Sequence, residues 1–192
     1  MRVFVAVVPD EDARRSLAPS LTCLHEWQRT HEGVGLRVSS VEKLHVTLCF
    51  MARVEELQLE DLSAGCARIA AAAPAMSLAL GGAGAFPSAR AARVLWLGVQ
   101  EGGAQLSVLA VSLAALAARL GIATEARAFH PHLTLARVTP ALDARPLVRA
   151  LDAAQPSVTM NVKSLALIRS HTDASGTRYE TLECFPLAEV VS

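Results

Sequence analysis

The phrase Leu44-His45-Val46-Thr47-Leu48 returns as Pro131-His132-Leu133-Thr134-Leu135, with the two histidines 87 residues apart. Each copy lies in an apolar run of strand-like length and residue type. Side chains at i and i+2 of a strand share a face. His45 and Thr47 are therefore expected on one face with Val46 and Leu48 on the other, and His132 and Thr134 repeat the arrangement. A polar pair backed by an apolar pair is, taken once, an ordinary half-buried strand. Its recurrence in the same order in each half of the chain requires a fold that carries two matched strands.

Two imidazoles and two hydroxyls suit chemistry at a phosphate. One ring can take a proton from a nucleophile while the other gives one to a leaving group, both near neutral pH. Threonine hydroxyls can donate to phosphoryl oxygens and hold the group between the rings.

With 192 residues, 52% hydrophobic and 19% charged, the chain can bury a real core and reads as a compact soluble protein. Its 18 basic and 18 acidic residues leave no net field to draw it onto long nucleic acid, which needs many phosphate-neutralising charges. A local phosphate site remains compatible. Cysteines 23, 49, 66 and 184 form no close pair and no C-x-x-C, so free thiols in a reducing compartment are expected. The apolar opening from Val3 to Val8 is short for a secretory signal and is stopped by Pro9-Asp10. No run reaches membrane-spanning length, and a cytoplasmic location is expected.

Local patterns supply the elements. A strand over 2–8 precedes a helix capped by Asp10 and running to about Arg29; His25 and His31 lie in or just past it as solvated or packed side chains. Strands follow between Arg37 and Arg53. A helix from Val54 to about Ala73 carries Leu62, Cys66, Ile69 and Ala73 on one stripe and is stopped by Pro74. Met76, Leu78 and Leu80 alternate as a strand. Gly81-Gly82-Ala83-Gly84-Ala85-Phe86-Pro87 lacks the Gly-Lys-Ser/Thr of a phosphate loop and reads as a flexible loop. Val94 to Val99 is a strand, and Leu106, Leu109, Leu113, Leu116 and Leu120 mark a core helix ended by Gly121. A short helix over about Leu142 to Ala154, alternating Val158, Met160 and Val162, and a hairpin turning at Asp173-Ala174-Ser175-Gly176 complete the chain.

The doubled His-x-Thr-Leu resembles the signature of the 2H phosphoesterase superfamily, and within it the RNA 2′,3′-cyclic phosphodiesterases, also called 2′-5′ RNA ligases. Arg2-Val3-Phe4-Val5-Ala6-Val7, Phe86-Pro87, Arg93 through Val99, Phe129 through Arg137, and Tyr179 through Leu187 agree with that family. The chain departs from it at Met51-Ala52, where Leu-Gly is usual.

The resemblance implies one bilobal domain over residues 1–192. Its fold is α+β: two pseudo-symmetric lobes, each an antiparallel sheet with helices on its outer face, with the His-x-Thr strands meeting in a central cleft. It further implies metal-independent hydrolysis of RNA 2′,3′-cyclic phosphate ends to 2′-phosphate, with no cofactor and a reverse 2′-5′ ligation as a side activity. By the same analogy His132 activates water, His45 protonates the departing 3′-oxygen, and Thr47 and Thr134 grip the phosphoryl oxygens. Arg137 matches the family's phosphate-contacting arginine, although simple strand alternation sets it on the opposite face from Thr134, so a bulge or strand end must turn it inward. Phe86 is a candidate contact for a base, with plain packing as the alternative. The expected partners are RNA 3′ ends or nucleotides carrying the cyclic phosphate, without membrane or long-tract nucleic-acid binding, and the protein is expected to be a monomer.

Two readings compete. His130-Pro131-His132 is an H-x-H that, with His45, offers three zinc ligands; this accounts for His130 and leaves both threonines unexplained. A nucleotide-binding module of the same fold without catalysis is the other.

Overall fold

The computed structural model describes residues 1–31, 33–125, 128–154, 157–173 and 176–189. The first strand, β1 (Val3–Val7), alternates as an apolar strand should: Val3, Val5 and Val7 enter the main core, while Phe4 and Ala6 join a second, smaller apolar cluster on the other face. It is buried on both sides. Asp10 caps the next helix, accepting from Ala13 N at 2.8 Å and from Asn161 N at 3.2 Å. The Ala13 bond, foremost, holds its carboxyl below the usual carboxylate range.

The single helix expected as far as Arg29 is two, α1 (Glu11–Ser16) and α2 (Ala18–Thr30), with Leu17 between them. Pro19 is the reason: it cannot donate inside a helix but is tolerated in a first turn, so the helix restarts around it. Next come β2 (Gly35–Val38), β3 (Val46–Met51) and α3 (Glu56–Ala71), whose start is closed by reciprocal bonds between Glu55 and Gln58. After β4 (Met76–Phe86) and β5 (Ala92–Glu101), α4 (Gly103–Arg119) buries Leu106, Leu109, Leu113 and Leu116. The chain closes with β6 (His132–Leu142), α5 (Arg145–Ala154), β7 (Val158–Val162), β8 (Ser164–Asp173) and β9 (Gly176–Pro186). Leu142 pairs with Ala92, so the last helix starts at Arg145 rather than at Leu142. The hairpin arms pair from Ser164–Pro186 to Asp173–Gly176; the turn residues Ala174 and Ser175 lie outside the described residues. All four cysteines are unpaired, and burial pushes the thiols of Cys49 and Cys66 up to about 11 and about 12.

The glycine-rich stretch is not a loop. It is the second half of β4, paired with β5 from Ala79–Glu101 to Phe86–Val94. Two glycines make this possible. Gly82 takes φ +67° where the register shifts between Gly81 and Ala83, and Gly84 lies beneath the indole of Trp96, which fills the space a side chain would need. Composition suggests flexibility here; packing against a partner strand overrides it.

The fold is α+β, and every strand pairing is antiparallel. The order β7-β4-β5-β6-β3-β1-β8-β9, with β2 also on β6, divides at the β6–β3 junction, where the one registered pair is Val46–Leu133. On one side α1, α2 and α5 pack against β7, β2, β6 and β4; on the other, α3 and α4 pack against β8, β9 and β3. These two lobes are not the two halves of the sequence. β1 and β3 from the first half share a lobe with β8 and β9 from the end, while β4 and β5 join β6 and β7 in the other.

Candidate active site

The junction between the lobes is also where the two motifs meet. Val46 and Leu133 are fully buried, so their neighbours His45, Thr47, His132 and Thr134 project from the opposite face. Continuing that antiparallel register by one residue each way sets Thr47 opposite His132 and His45 opposite Thr134. Each histidine thus stands across the seam from the other motif's threonine. All four are half-buried. Thr47, Phe86, His132, Thr134 and Arg137 line one cleft of about 810 Å³. His45, just ahead of β3, stands beside it and feels the charges of Arg137 and His132.

The two imidazoles are held in the same way. His45 Nδ1–H donates to the carbonyl of Lys43 at 2.7 Å, and His132 Nδ1–H donates to the carbonyl of His130 at 2.6 Å. In each case the acceptor lies two residues upstream. A carbonyl can only accept, so both rings carry the proton on Nδ1 and keep Nε2 for chemistry. Lys43 is itself tied down, its ammonium donating to Thr177 O on β9 at 2.8 Å.

Aromatic rings back each imidazole. His45 stacks on Phe4 (4.8 Å between centroids, 29° between planes) and meets Tyr179 edge-on at 5.3 Å. His132 meets Phe86 edge-on at 4.9 Å and lies 6.1 Å from Trp96. Burial against these rings is the main reason both imidazoles titrate below the ordinary histidine range. The carbonyl bonds oppose that shift, and Arg137 adds to it at both rings.

Arg137 reaches the cleft because β6 is irregular. Trp96 pairs with Thr134 but Leu95 pairs with Ala136, which leaves Leu135 as an extra residue. Leu135 and Ala136 are both buried, and Thr134 and Arg137 end on the same face. β3 does the same one motif earlier. Ala6 pairs with Thr47 and Val5 with Cys49, leaving Leu48 over and bringing Phe50 to the face of Thr47. Phe50 is therefore the counterpart of Arg137, with the guanidinium of Arg2 5.4 Å from its ring centroid. The pseudo-symmetry ends there, and only one lobe offers a cation to the cleft at this position. The departure at Met51-Ala52 is accommodated without strain. Met51 is buried, and no described residue other than glycine has positive φ, so alanine serves in the turn.

Phe86, expected as a base contact or a packing residue, does pack, lying 5.2 Å from Trp96 while also lining the cleft. Sequence reasoning did not assign Phe4, Trp96 or Tyr179 to the site, nor the carbonyls of Lys43 and His130. Strand register alone brings the three rings to the histidines, and a carbonyl has no sequence signature. Among the described residues no three His, Cys, Asp or Glu side chains gather closely enough to hold a metal ion, so His45, His130 and His132 do not form the three-ligand set considered from sequence.

Fold and site together define an α+β protein with a duplicated His-x-Thr motif at the seam between two lobes. Residues 15–174 match the family profile described as the 2′-5′ RNA ligase superfamily. The chain is 32% identical over 156 residues to the RNA 2′,3′-cyclic phosphodiesterase of Aeropyrum pernix, covering 79% of this chain and 86% of that one. It is 30% identical over 191 residues to the enzyme of the same name from Methanothermobacter thermautotrophicus, covering 97% and 99%. Among solved structures, TT0787 of Thermus thermophilus superposes with a TM-score of 0.80 at 28% identity, over 98% of this chain and 99% of that one. LigT of Escherichia coli in complex with 3′-AMP gives 0.71 at 28%, over 97% of each. The chain belongs to the 2′-5′ RNA ligase superfamily. No helix among the described residues is long and apolar enough to cross a membrane.

Proposed function

We propose that this chain is an RNA 2′,3′-cyclic phosphodiesterase, a single bilobal domain over residues 1–192 that opens the cyclic phosphate at an RNA end to a 2′-phosphate. The observation that carries this is the matched anchoring of His45 and His132, each by Nδ1 on an upstream carbonyl, which leaves two equivalent Nε2 atoms at the seam. Nε2 of His132 takes a proton from water as its oxygen bonds to phosphorus. The bond from phosphorus to the 3′-oxygen breaks, and Nε2–H of His45 supplies that oxygen's proton. Thr47 and Thr134 donate to the phosphoryl oxygens, Arg137 balances their charge, and Phe86 offers a ring to the base. A 5′-hydroxyl in place of water gives 2′-5′ ligation by the same proton transfers. The curated relatives named above as cyclic phosphodiesterases and the 3′-AMP complex of the related LigT support this substrate class. We infer a cytoplasmic monomer acting on RNA 3′ ends; the balanced charge argues against long-tract binding.

The direct test is a defined RNA ending in 2′,3′-cyclic phosphate, with the product isomer identified. A 3′-phosphate product would reverse the bond assigned to break. Binding without turnover would favour the non-catalytic module.

Two further results are expected. Thr47→Ala or Thr134→Ala removes a donor to the phosphate but no proton-transfer group, so turnover should fall about 10–10³-fold and recover largely in the Thr→Ser variants. A serine variant as poor as alanine would assign the threonines to packing. Second, the proton transfers and the charge balance run on imidazole and guanidinium groups, so EDTA should leave the rate unchanged. Loss of activity in chelator, restored by zinc, would return the reading to a metal site.

A further inference from the structure

Arg37 on β2 is the direct cross-strand partner of Arg137 on β6. Antiparallel partners share a face, and their Cα atoms lie roughly 5 Å apart. Leu36 is buried and Arg37 is exposed, so Arg37 shares the cleft face with Arg137. Like charges directly opposite one another on a sheet are destabilising. Neither guanidinium has an acidic partner among the described residues. Arg93 lines the same cleft, and Glu125 is the one acid among the described residues that does so. Arg137 lines the cleft and Arg37 flanks it from the next strand; in a chain with no net charge, an arginine pair without an acidic partner among the described residues is a place for an anion.

Arg137, which lines the cleft with His132 and Thr134, is the arginine assigned above to the reacting group. Arg37 stands one strand further out. A cyclic phosphate occupies the 2′- and 3′-oxygens of the last ribose, and the chain leaves through the 5′-oxygen, so the next phosphodiester lies within one nucleotide of the reacting one.

We propose that Arg37 is the arm of a second phosphate subsite that binds the phosphodiester on the 5′ side of the terminal ribose. The preferred substrate is then an RNA end rather than a mononucleoside cyclic phosphate. This rests on the cyclic phosphodiesterase reading above. It makes Arg37 a specificity residue, since it touches none of the reacting atoms.

The test compares three substrates: a mononucleoside 2′,3′-cyclic phosphate, a dinucleotide with the natural linkage, and the same dinucleotide with a neutral methylphosphonate linkage. In the wild type, kcat/KM on the natural dinucleotide is expected to exceed both others by about tenfold. Its dependence on log salt should be steeper by about 0.7, as for one added phosphate contact on a single strand. Arg37→Gln should bring the two dinucleotides to within about twofold of each other and remove the extra salt slope, and Arg37→Lys should retain part of the gap. Equal rates on the two dinucleotides in the wild type, or full discrimination surviving in Arg37→Gln, would overturn the subsite. If no substrate is hydrolysed, the cyclic phosphodiesterase reading fails instead. Equilibrium binding of the corresponding 2′-phosphorylated dinucleotides then decides the subsite, which stands if Arg37→Gln abolishes the preference for the charged linkage and falls if it does not.

Discussion

Alanine at His45 or at His132 is expected to lower turnover of an RNA 2′,3′-cyclic phosphate about 10²–10⁴-fold, with the fold retained. The magnitude is that of one positioned acid or base, and the matched anchoring gives no reason for the two losses to differ in scale. The double variant should be little worse than the worse single one, because a pair that acts as a unit loses most of its effect with its first member. Stability should change modestly. Both rings are half-buried, and each rests on aromatic neighbours that hold positions of their own: Phe4 in the second apolar cluster, with Tyr179 packed against it. Parallel measurement of kcat and of thermal unfolding separates the two effects. A variant with near wild-type turnover at either position would end the paired-histidine mechanism.

The second large effect is expected at Arg137, where alanine should reduce kcat/KM about 10²–10³-fold by removing the cation proposed to balance the phosphoryl oxygens. The same variant should move the pH profile in a fixed direction. In the native site both imidazoles titrate below the ordinary value of about 6.5, chiefly because they are buried, with Arg137 disfavouring the charged form further. In the proposed mechanism turnover needs one ring neutral and the other charged, so kcat/KM should peak between two apparent values, displaced to lower pH than two ordinary imidazoles would give. Taking away the guanidinium makes each imidazolium easier to form. Both limbs of the residual profile should then shift to higher pH. A bound anionic phosphate acts in that direction too, so the wild-type kcat profile should lie above its kcat/KM profile. A residual optimum that stays in place, or moves to lower pH, would show that Arg137 does not act on the two rings.

What could be read in advance was what is local. Alternation along the motif strands, the Asp10 cap, the leucine stripe of α4 and the β8–β9 hairpin each depend on residues close together in sequence, and each is present. Most of the errors came where distant residues decide. Three glycines within four positions suggest flexibility until Trp96 lies over one of them from the next strand. The helix break at Leu17 was local, and Pro19 should have signalled it. Arg137 shows the boundary most clearly. Strict alternation turned it away from the cleft, the family resemblance turned it inward, and the two are reconciled by one extra residue, Leu135, that no periodicity announces. The rings behind the histidines were hidden for a similar reason, since Phe4 and Tyr179 are brought together by register across most of the chain.

The place of β1 between β3 and β8 carries a cost in the order of folding. Val3–Val7 is made well before its partners on one side, Ala166 to Arg169, which lie about 160 residues further along. Until those are made, a five-residue apolar strand keeps one open edge, the kind of surface that invites pairing with another chain. Contacts of such long sequence separation also form slowly. The same threading that brings two motifs to one seam therefore delays completion of the sheet beneath His45 until Ala166 to Arg169 are available.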